Sequence, residues 1–163
     1  MEIQEVFIED LKVFSLNAKL DLSKNNKDYQ DIKCSILKYG FVSPLIISED
    51  LFVIDGLSRL KILKELFYEK VYCIKLDIKG NDAELLRLSL NKLRGDWKLL
   101  SLKKILKKYE QEIRNFNSNF TGFRQDEIDL IMAIDKFPDL EILDSNNKRG
   151  KQLNLELFNI KGE

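Results

Sequence analysis

Residues 51–63 read LFVIDGLSRLKIL, and this stretch decides the fold that we expect for the chain. The apolar run at its start predicts a buried strand, which Asp55-Gly56 brings to an end. Leucines then recur at helical spacing, which predicts a helix over about 57–67. A strand that passes through glycine into a helix is typical of an anion site. The first-turn amides lack partners there, and the helix dipole favours negative charge.

Two side chains in the same stretch are candidate phosphate ligands. Ser58 and Arg59 follow the turn directly, where they add a hydroxyl and a guanidinium group to the Gly56 backbone. For a D-G-x-x-R motif taken alone, the alternative is a plain strand–turn–helix with a solvated arginine. The choice between the two interpretations therefore depends on the rest of the chain.

Composition excludes several classes of function. The 163 residues fit one domain of usual size with a small helical annex. The 27 basic and 27 acidic residues cancel, so any nucleic-acid contact has to come from a local patch. Histidine is absent, which excludes histidine-based acid–base catalysis and histidine-ligated metals.

The cysteines and the N-terminus indicate a compartment. Cys34 and Cys73 lie in apolar settings and are expected to be buried thiols in a reducing environment. The first residues lack a signal-peptide pattern, and no apolar run reaches membrane-spanning length. We therefore expect a soluble cytoplasmic protein without a membrane partner.

Periodicity along the chain predicts an α/β (α+β) fold, with a small mixed sheet of about four strands followed by a helical annex. The expected strands lie near residues 5–14, 45–48, 51–55 and 70–78. The expected helices lie near 27–39, 57–67, 82–92, 96–115 and 125–136. The helix over 27–39 is expected to pack Tyr29, Ile32, Ile36 and Leu37 on one side. The predicted domains are a core over 1–80, an annex over 81–137 and a flexible tail or edge strand over 138–163.

Three motifs stand in a recognisable order around the opening stretch. Residues 35–46 read SILKYGFVSPLI, residues 54–59 read IDGLSR, and residues 90–97 read LNKLRGDW. In this order and spacing the chain resembles the ParB N-terminal domain of the ParB/sulfiredoxin superfamily, over about residues 6–97. It is most similar to the stand-alone or methyltransferase-linked type found on phages and other mobile elements.

The resemblance implies a nucleotide site. Gly56 and Arg59 would contact phosphates, and Asn91 and Arg94 match part of the E-N-x-x-R motif with which ParB proteins hold a nucleoside triphosphate and its Mg²⁺. The expected cofactor is CTP or ATP with Mg²⁺. Leu90 stands where the family has an acidic residue, and leucine cannot coordinate a cation. A plain helix C-terminus is the structural alternative for this motif.

The motif at residues 35–46 extends the implied site. If a nucleotide binds as in the family, Gly40, Ser43 and Pro44 supply groups near the base or ribose. The resulting function is an accessory module in DNA partition, modification or regulation on a phage, plasmid or other mobile element. It would act through a partner protein or as a homodimer. No helix-turn-helix pattern follows residue 98.

An enzyme of the same superfamily is the second hypothesis. Relatives that phosphorylate serine carry D-G-H-H-R and sulfiredoxin carries G-C-H-R, whereas this chain has Leu57 and Ser58 at the variable positions. Sulfiredoxin chemistry is therefore not expected, because leucine offers no nucleophile. Asp55 is the candidate metal ligand or base for a phosphotransferase or nuclease. The third hypothesis is a degenerate domain that binds only protein. It is favoured by Leu57 and Leu90, which replace functional residues of the family's motifs.

A basic stretch over 87–114 offers a candidate nucleic-acid contact. It holds nine basic and three acidic residues. The candidate contacts to a phosphate backbone are Lys103, Lys104, Lys107 and Lys108. The preferred interpretation is the solvated face of a helix whose core side carries Leu99, Leu102, Ile105 and Leu106.

Overall fold

The structure is a computed structural model that describes residues 2–15, 24, 26–92, 98–112 and 118–134. The described residues form two compact units, one over 2–15, 24 and 26–87 and the other over 88–92, 98–112 and 118–134. The domain limits that we predicted from the sequence, at residues 80 and 137, stay predictions. No helix in the described ranges is long and apolar enough to cross a membrane.

The first unit contains a four-stranded mixed sheet, which confirms the predicted fold class. Its strands are β1 (Glu2–Phe7), β2 (Leu45–Ile47), β3 (Val53–Asp55) and β4 (Lys70–Lys75). The strand order is β1-β4-β2-β3. β4 pairs antiparallel with β1 and parallel with β2, while β2 pairs antiparallel with β3. The C-terminal end of β3 therefore lies beside the start of β2, which is where the Ser43-Pro44 segment enters the sheet.

Two helices pack on the sheet and close the core of the first unit. They are α1 (Lys27–Tyr39) and α2 (Leu57–Glu65). The core brings together residues from both helices and all four strands, and it contains Val6, Tyr29, Ile36, Leu45, Ile47, Val53, Leu60, Ile62, Leu63, Val71 and Cys73. The predicted helix over 27–39 is confirmed. The Asn26 side chain caps its first turn, and Gly40 ends it at φ +78°.

The side chain of Glu65, at the end of α2, links α2 to α1. The Glu65 carboxylate accepts hydrogen bonds from Tyr29 Oη at 2.8 Å and from Lys33 Nζ at 2.6 Å. The bond from Lys33, followed by that from Tyr29, lowers the pKa of Glu65 to about 2. α2 is thus held at its C-terminal end, while its N-terminal end forms the candidate site.

The first strand is shorter than predicted. β1 ends at Phe7, and residues 8–10 form a 3₁₀ turn instead of continuing the strand toward 14. The Ile8 amide donates to Glu69 O at 2.9 Å, which closes the pairing with β4. Ile8 and Leu11 are both buried, and their spacing of three residues suits a helical turn. The prediction of a strand with alternating buried residues is therefore wrong for residues 8–11, where the buried residues are spaced as in a helical turn.

Two side chains of α1, Leu37 and Cys34, are exposed although the sequence predicted that they would be buried. Leu37 is 64% exposed although its neighbour Ile36 is buried, so it does not belong to the packed face. Cys34 is exposed as well, whereas Cys73 is buried in β4. The expectation of two buried thiols is right for Cys73 only, where burial raises the pKa of the thiol to about 11.

The boundaries of α2, β3 and β4 also differ from the predictions. α2 ends at Glu65, and Phe67 follows it with a positive φ of 60°. β3 begins at Val53 because Leu51, with φ +69°, belongs to the turn that the Ser48 hydroxyl closes. β4 ends at Lys75, three residues before the predicted limit.

Helices make up the described part of the second unit. α3 (Gly80–Asn91) starts in the first unit and supplies residues 88–91 to the second, which also contains α4 (Leu99–Glu112) and α5 (Gln125–Met132). The predicted helices over 82–92 and 125–136 correspond to α3 and α5. Lys92 anchors the end of α3, because its Nζ lies 2.6 Å from the buried Glu127 carboxylate. The predicted tail over 138–163 lies wholly outside the described residues.

Candidate functional site

The turn between β3 and α2, residues 55–59, is the centre of the candidate site, and we call it the Gly56 turn. Gly56 is the N-cap of α2 and has φ +99° and ψ 19°, a left-handed conformation that glycine adopts at little cost. The Leu60 amide donates to Gly56 O at 2.9 Å and closes the first turn of the helix. The chain thus changes from strand to helix within a single residue.

Arg59 folds back over this turn and holds three segments together. Its Nη2 donates to Asp55 Oδ2 at 3.1 Å. Its Nη1 donates to Ser43 O at 2.6 Å and Pro44 O at 3.1 Å, and it also contacts the Ser43 hydroxyl. The Arg59 and Asp55 side chains are 20% and 19% exposed, so the pair is largely shielded from solvent. The guanidinium group therefore ties the entrance of β2 and the end of β3 to the first turn of α2.

The guanidinium group lies directly beside the backbone of Gly56. A β-carbon at position 56 would lie 3.1 Å from Arg59 Nη2 and 2.5 Å from Leu45 Cδ2. Leu45 is fully buried, so its side chain has little room to move. Glycine is required at this position by both the backbone conformation and the space.

The first-turn amides of α2 are available to a ligand. No side chain caps the helix, and within the described residues the amides of Leu57, Ser58 and Arg59 have no backbone acceptor. Ser58 lies half-buried in this turn. Such amides at a helix N-terminus favour an anion, because they are unpaired donors at the positive end of the helix dipole.

The structure brings most of the predicted site residues of the first unit together. Ser43, Pro44 and Asp55 all contact Arg59. Gly40 is placed four residues before Pro44, as the C-cap of α1, and a β-carbon there would meet nothing within 4 Å. Their roles as ligands stay predictions.

The second predicted motif lies in the other unit or outside the described residues. Asn91 is the last residue of α3, is half-buried and makes contacts within the protein. Arg94 lies outside the described residues. The predicted cradle of Asn91 and Arg94 with Arg59 therefore stays a prediction.

The lysines of α4 are not equivalent. Lys103 is only 5% exposed, so it does not belong to the solvated face that was predicted for it. It lies next to Leu102 and one turn before Leu106, both of which are buried. Lys104 and Lys107 are exposed, and Lys108 lies with its Nζ 5.3 Å from the Tyr109 ring centroid. Leu102, Ile105 and Leu106 are buried, as predicted for the core side of this helix, and the choice between a solvated face and a nucleic-acid contact for the lysines stays a prediction.

The pairing of Asp55 with Arg59 is the feature of the site that the sequence did not predict. The two residues are four apart across a helix start, a spacing at which opposite charges pair, so a signal is present in the sequence. The motifs instead suggest separate roles, with Asp55 as a candidate catalytic residue and Arg59 as a phosphate ligand. The described residues contain no group of three or more aspartate, glutamate or cysteine side chains that could hold a metal ion.

Comparison with known proteins places this geometry in context. No protein-family model matches the chain. Over 104 residues it is 35% identical to the uncharacterized protein ORF326b of Acidianus two-tailed virus. That match covers 63% of this chain and 31% of the viral protein, so the chain spans about a third of its relative's length.

Solved structures show the fold. A pNOB8-like ParB-N domain in its C2221 crystal form aligns with a TM-score of 0.53 and 23% identity, over 83% of this chain and 62% of that one. The C-terminally truncated chromosome-partitioning protein ParB of Caulobacter crescentus, complexed to the centromeric parS site, aligns with a TM-score of 0.52 and 15% identity, over 80% and 71%. The same protein complexed with CTP-γ-S aligns at only 0.49 and carries no weight for this chain. The chain therefore has a ParB N-terminal domain fold, and the resemblance seen in its sequence is confirmed at the level of the fold.

Proposed function

We propose that the chain is a ParB-like nucleotide-binding module whose phosphate site is the Gly56 turn. The observation that carries the proposal is the convergence of the Arg59 guanidinium group, the Ser43 hydroxyl and the uncapped first turn of α2 around one glycine. A triphosphate offers negatively charged oxygens that suit both guanidinium donors and helix N-terminal amides.

The first turn of α2 is the feature that suits a phosphate chain best. The space beside Gly56 is filled by Leu45 and the Arg59 guanidinium group, so a phosphate would meet the turn at the amides of Leu57, Ser58 and Arg59. Ser58, in the first turn of α2, adds a hydroxyl donor. Gly40, Ser43 and Pro44 would then line the part of the site nearer to the base or ribose.

We further propose that Asn91 and Arg94 contact the distal phosphates, as their resemblance to the E-N-x-x-R motif implies. Leu90 cannot act as the acidic metal ligand of that motif. Magnesium would therefore enter the site on the phosphates of the nucleotide. CTP and ATP are both candidates, since neither the phosphate contacts nor the glycine distinguish the base.

The biological role that fits this module is an accessory one, in DNA partition, modification or regulation on a mobile genetic element. Its support is the viral relative and the fold shared with a ParB that forms a complex with parS DNA. The exposed lysines of α4, Lys104 and Lys107, are the candidate contacts to DNA phosphates. Charge reversal of both should reduce the salt dependence of DNA binding by about two phosphate contacts, whereas reversal of the exposed Lys38 on α1 should not.

Calorimetry tests the nucleotide proposal directly. The unmodified protein is titrated with CTP, ATP and ADP at millimolar Mg²⁺, and Arg59→Ala is expected to bind the same nucleotides at least tenfold more weakly. Lys64→Ala is the matched control, because Lys64 is an exposed cation in the last turn of the same helix. Thermal unfolding of each variant separates lost binding from lost structure. Absence of heat with all three nucleotides would refute the proposal.

The enzyme alternative keeps Asp55 as a metal ligand or general base, and the position of its carboxylate beside the Gly56 turn is the observation in its favour. The Asp55 carboxylate is already engaged, since its Oδ2 accepts a hydrogen bond from Arg59 Nη2 at 3.1 Å. Release of product from labelled nucleotide or DNA, lost in Asp55→Asn, would place this alternative first.

A further inference from the structure

The first strand, β1, lies at one edge of the sheet and has a free side. Among the described strands it pairs with β4 alone. The Ile8 amide donates to Glu69 O at 2.9 Å, which fixes the phase of the hydrogen-bond ladder. Bonded residues alternate in an antiparallel pair, so the backbone groups of Ile3, Glu5 and Phe7 point away from β4. They offer a row of donors and acceptors to an added strand.

The side chains beside this free edge form an exposed apolar surface. Ile3 is 63% exposed, Phe7 is 46% exposed, and Tyr72 on the neighbouring β4 is 53% exposed. The core with α1 and α2 lies on the other face of the sheet, where Val6 is buried. Large apolar side chains that stay exposed next to one another are typical of an interaction surface.

The same edge is acidic. Residues 2–11 carry four acidic side chains and no basic one. Glu5 lies in the middle of the exposed row, and Glu9 and Asp10 are exposed just beyond its end. Lys70 on β4 offsets one of these charges, since its Nζ lies 3.4 Å from Glu5 Oε2. The exposed row of β1 is thus apolar, acidic and apolar, and the strand that complements it is apolar, basic and apolar.

A second copy of the chain does not supply this complement. When two β1 strands pair antiparallel with their exposed rows on one face, the register that places Ile3 opposite Phe7 also places Glu5 opposite its own copy. Like charges directly opposite each other destabilise a strand pair. A shift of two residues places Glu5 opposite Ile3 or Phe7, so a carboxylate faces an apolar side chain. The observations therefore favour a different chain as the occupant.

We infer that the free edge of β1 is a docking site for an extended segment of a partner protein, in which a basic residue is flanked by apolar residues at alternate positions. The segment adds a fifth strand to the sheet and bonds to the backbone of Ile3, Glu5 and Phe7. Its apolar side chains cover Ile3 and Phe7, and its basic residue lies opposite Glu5. The inference is independent of the proposed nucleotide site, because β1 and β3 form opposite edges of the sheet.

The experiment measures the binding of a labelled seven-residue peptide to the full chain by fluorescence anisotropy. The peptide alternates threonine with valine and carries lysine in place of the central valine. Saturable binding is expected, and a peptide with glutamate at the centre should bind about fivefold more weakly. N-methylation of the lysine and both valines should abolish binding, because it removes the amides that face β1.

Two substitutions at position 5 locate the site. Glu5→Pro removes an amide that points to solvent, which an edge strand tolerates, and should weaken binding at least tenfold. Glu5→Gln should weaken binding of the lysine peptide about threefold. Glu49→Gln is the matched control and should bind as wild type does, because Glu49 has the same exposure as Glu5 and a similar ion pair with a lysine. Thermal unfolding verifies that each variant is folded.

The inference is overturned if the lysine peptide does not bind at millimolar concentration, or if the N-methylated peptide binds equally well. Undiminished binding by a folded Glu5→Pro protein would overturn it too. If that variant does not fold, the comparison of the two peptides decides. Dimerisation in ultracentrifugation that is lost in Glu5→Gln, or slow hydrogen exchange of the Glu5 amide without peptide, would show that a second copy or the chain itself occupies the edge, and would likewise overturn the inference.

Discussion

The guanidinium group of Arg59 donates to the carboxylate of Asp55 at 3.1 Å while its other nitrogen reaches the Ser43 and Pro44 carbonyl oxygens. One side chain therefore joins the entrance of β2, the end of β3 and the first turn of α2. Arg59 has a structural role in addition to any contact with a ligand. Variants at this position must be judged on stability as well as on binding.

Replacement of Arg59 by lysine should separate charge from geometry. Lysine keeps the positive charge. It lacks the planar guanidinium group that donates to the Asp55 carboxylate and the Ser43 carbonyl oxygen at the same time. We expect a loss of about 1–2 kcal/mol in the free energy of unfolding, since the hydrogen bonds to the Ser43-Pro44 segment are lost. Urea unfolding measures the loss. An Arg59→Lys protein as stable as wild type would show that the tether contributes nothing.

Replacement of Gly56 by alanine should destabilise the fold more than the same change at another glycine with positive φ. The conformational strain costs about 1–2 kcal/mol, and contact of the new β-carbon with Leu45 at 2.5 Å adds to it. Gly40→Ala is the control, because φ is also positive there and nothing lies within 4 Å of the position that its methyl group would occupy. Equal losses of thermal stability in the two variants would contradict the crowding at Gly56.

The Glu65 carboxylate should make the stability of the first unit depend on acid pH. Hydrogen bonds from Lys33 and Tyr29 lower the pKa of Glu65 to about 2. Because its pKa is lower in the folded than in the unfolded protein, its stabilising effect is complete above the ordinary pKa of glutamate. That effect is lost as the pH falls toward about 2.

Urea unfolding between pH 6 and pH 2 measures this dependence, which should be smaller in Glu65→Gln. Glu49→Gln is the control, because the ion pair of Glu49 with Lys79 is long, at 3.6 Å, and well exposed. An unchanged pH profile in Glu65→Gln would show that the carboxylate contributes no such stabilisation.

The ion pair between Lys92 and Glu127 should be important for the helices of the second unit. Glu127 is buried, and it accepts from Lys92 Nζ at 2.6 Å and from the Arg124 amide at 2.7 Å. Glu127→Gln leaves the lysine without its counter-ion, so we expect a loss of about 2 kcal/mol. Asp126→Asn, which breaks the exposed contact to Arg124, should change stability far less, because exposed ion pairs contribute little. Similar losses in the two variants would contradict this assignment.

The two cysteines should react with thiol reagents at very different rates. Cys34 is exposed on α1, whereas Cys73 is buried and has a pKa raised to about 11. A disulfide reagent under mildly alkaline conditions should label one thiol quickly, and that fast phase should vanish in Cys34→Ser. The second thiol should react only on unfolding. Two fast thiols in the native protein would contradict the burial of Cys73.

The amino-acid sequence by itself determined the features that depend on neighbours along the chain. The Asp55-Gly56 break, the leucine spacing that follows it and the glycine at position 40 predicted the β3–α2 turn and the end of α1. These features could be predicted because backbone conformation and hydrophobic periodicity are local properties. The order of three motifs added the ParB-like fold.

Only the tertiary structure decided which partners the side chains choose. The Arg59 contact with Ser43 joins residues 16 apart, and the Glu65 contact with Tyr29 joins residues 36 apart. The burial of Lys103 and the exposure of Cys34 likewise depend on which helix face meets the rest of its unit. No local pattern encodes these choices, because they arise when the sheet and helices pack and the remaining polar groups must find acceptors.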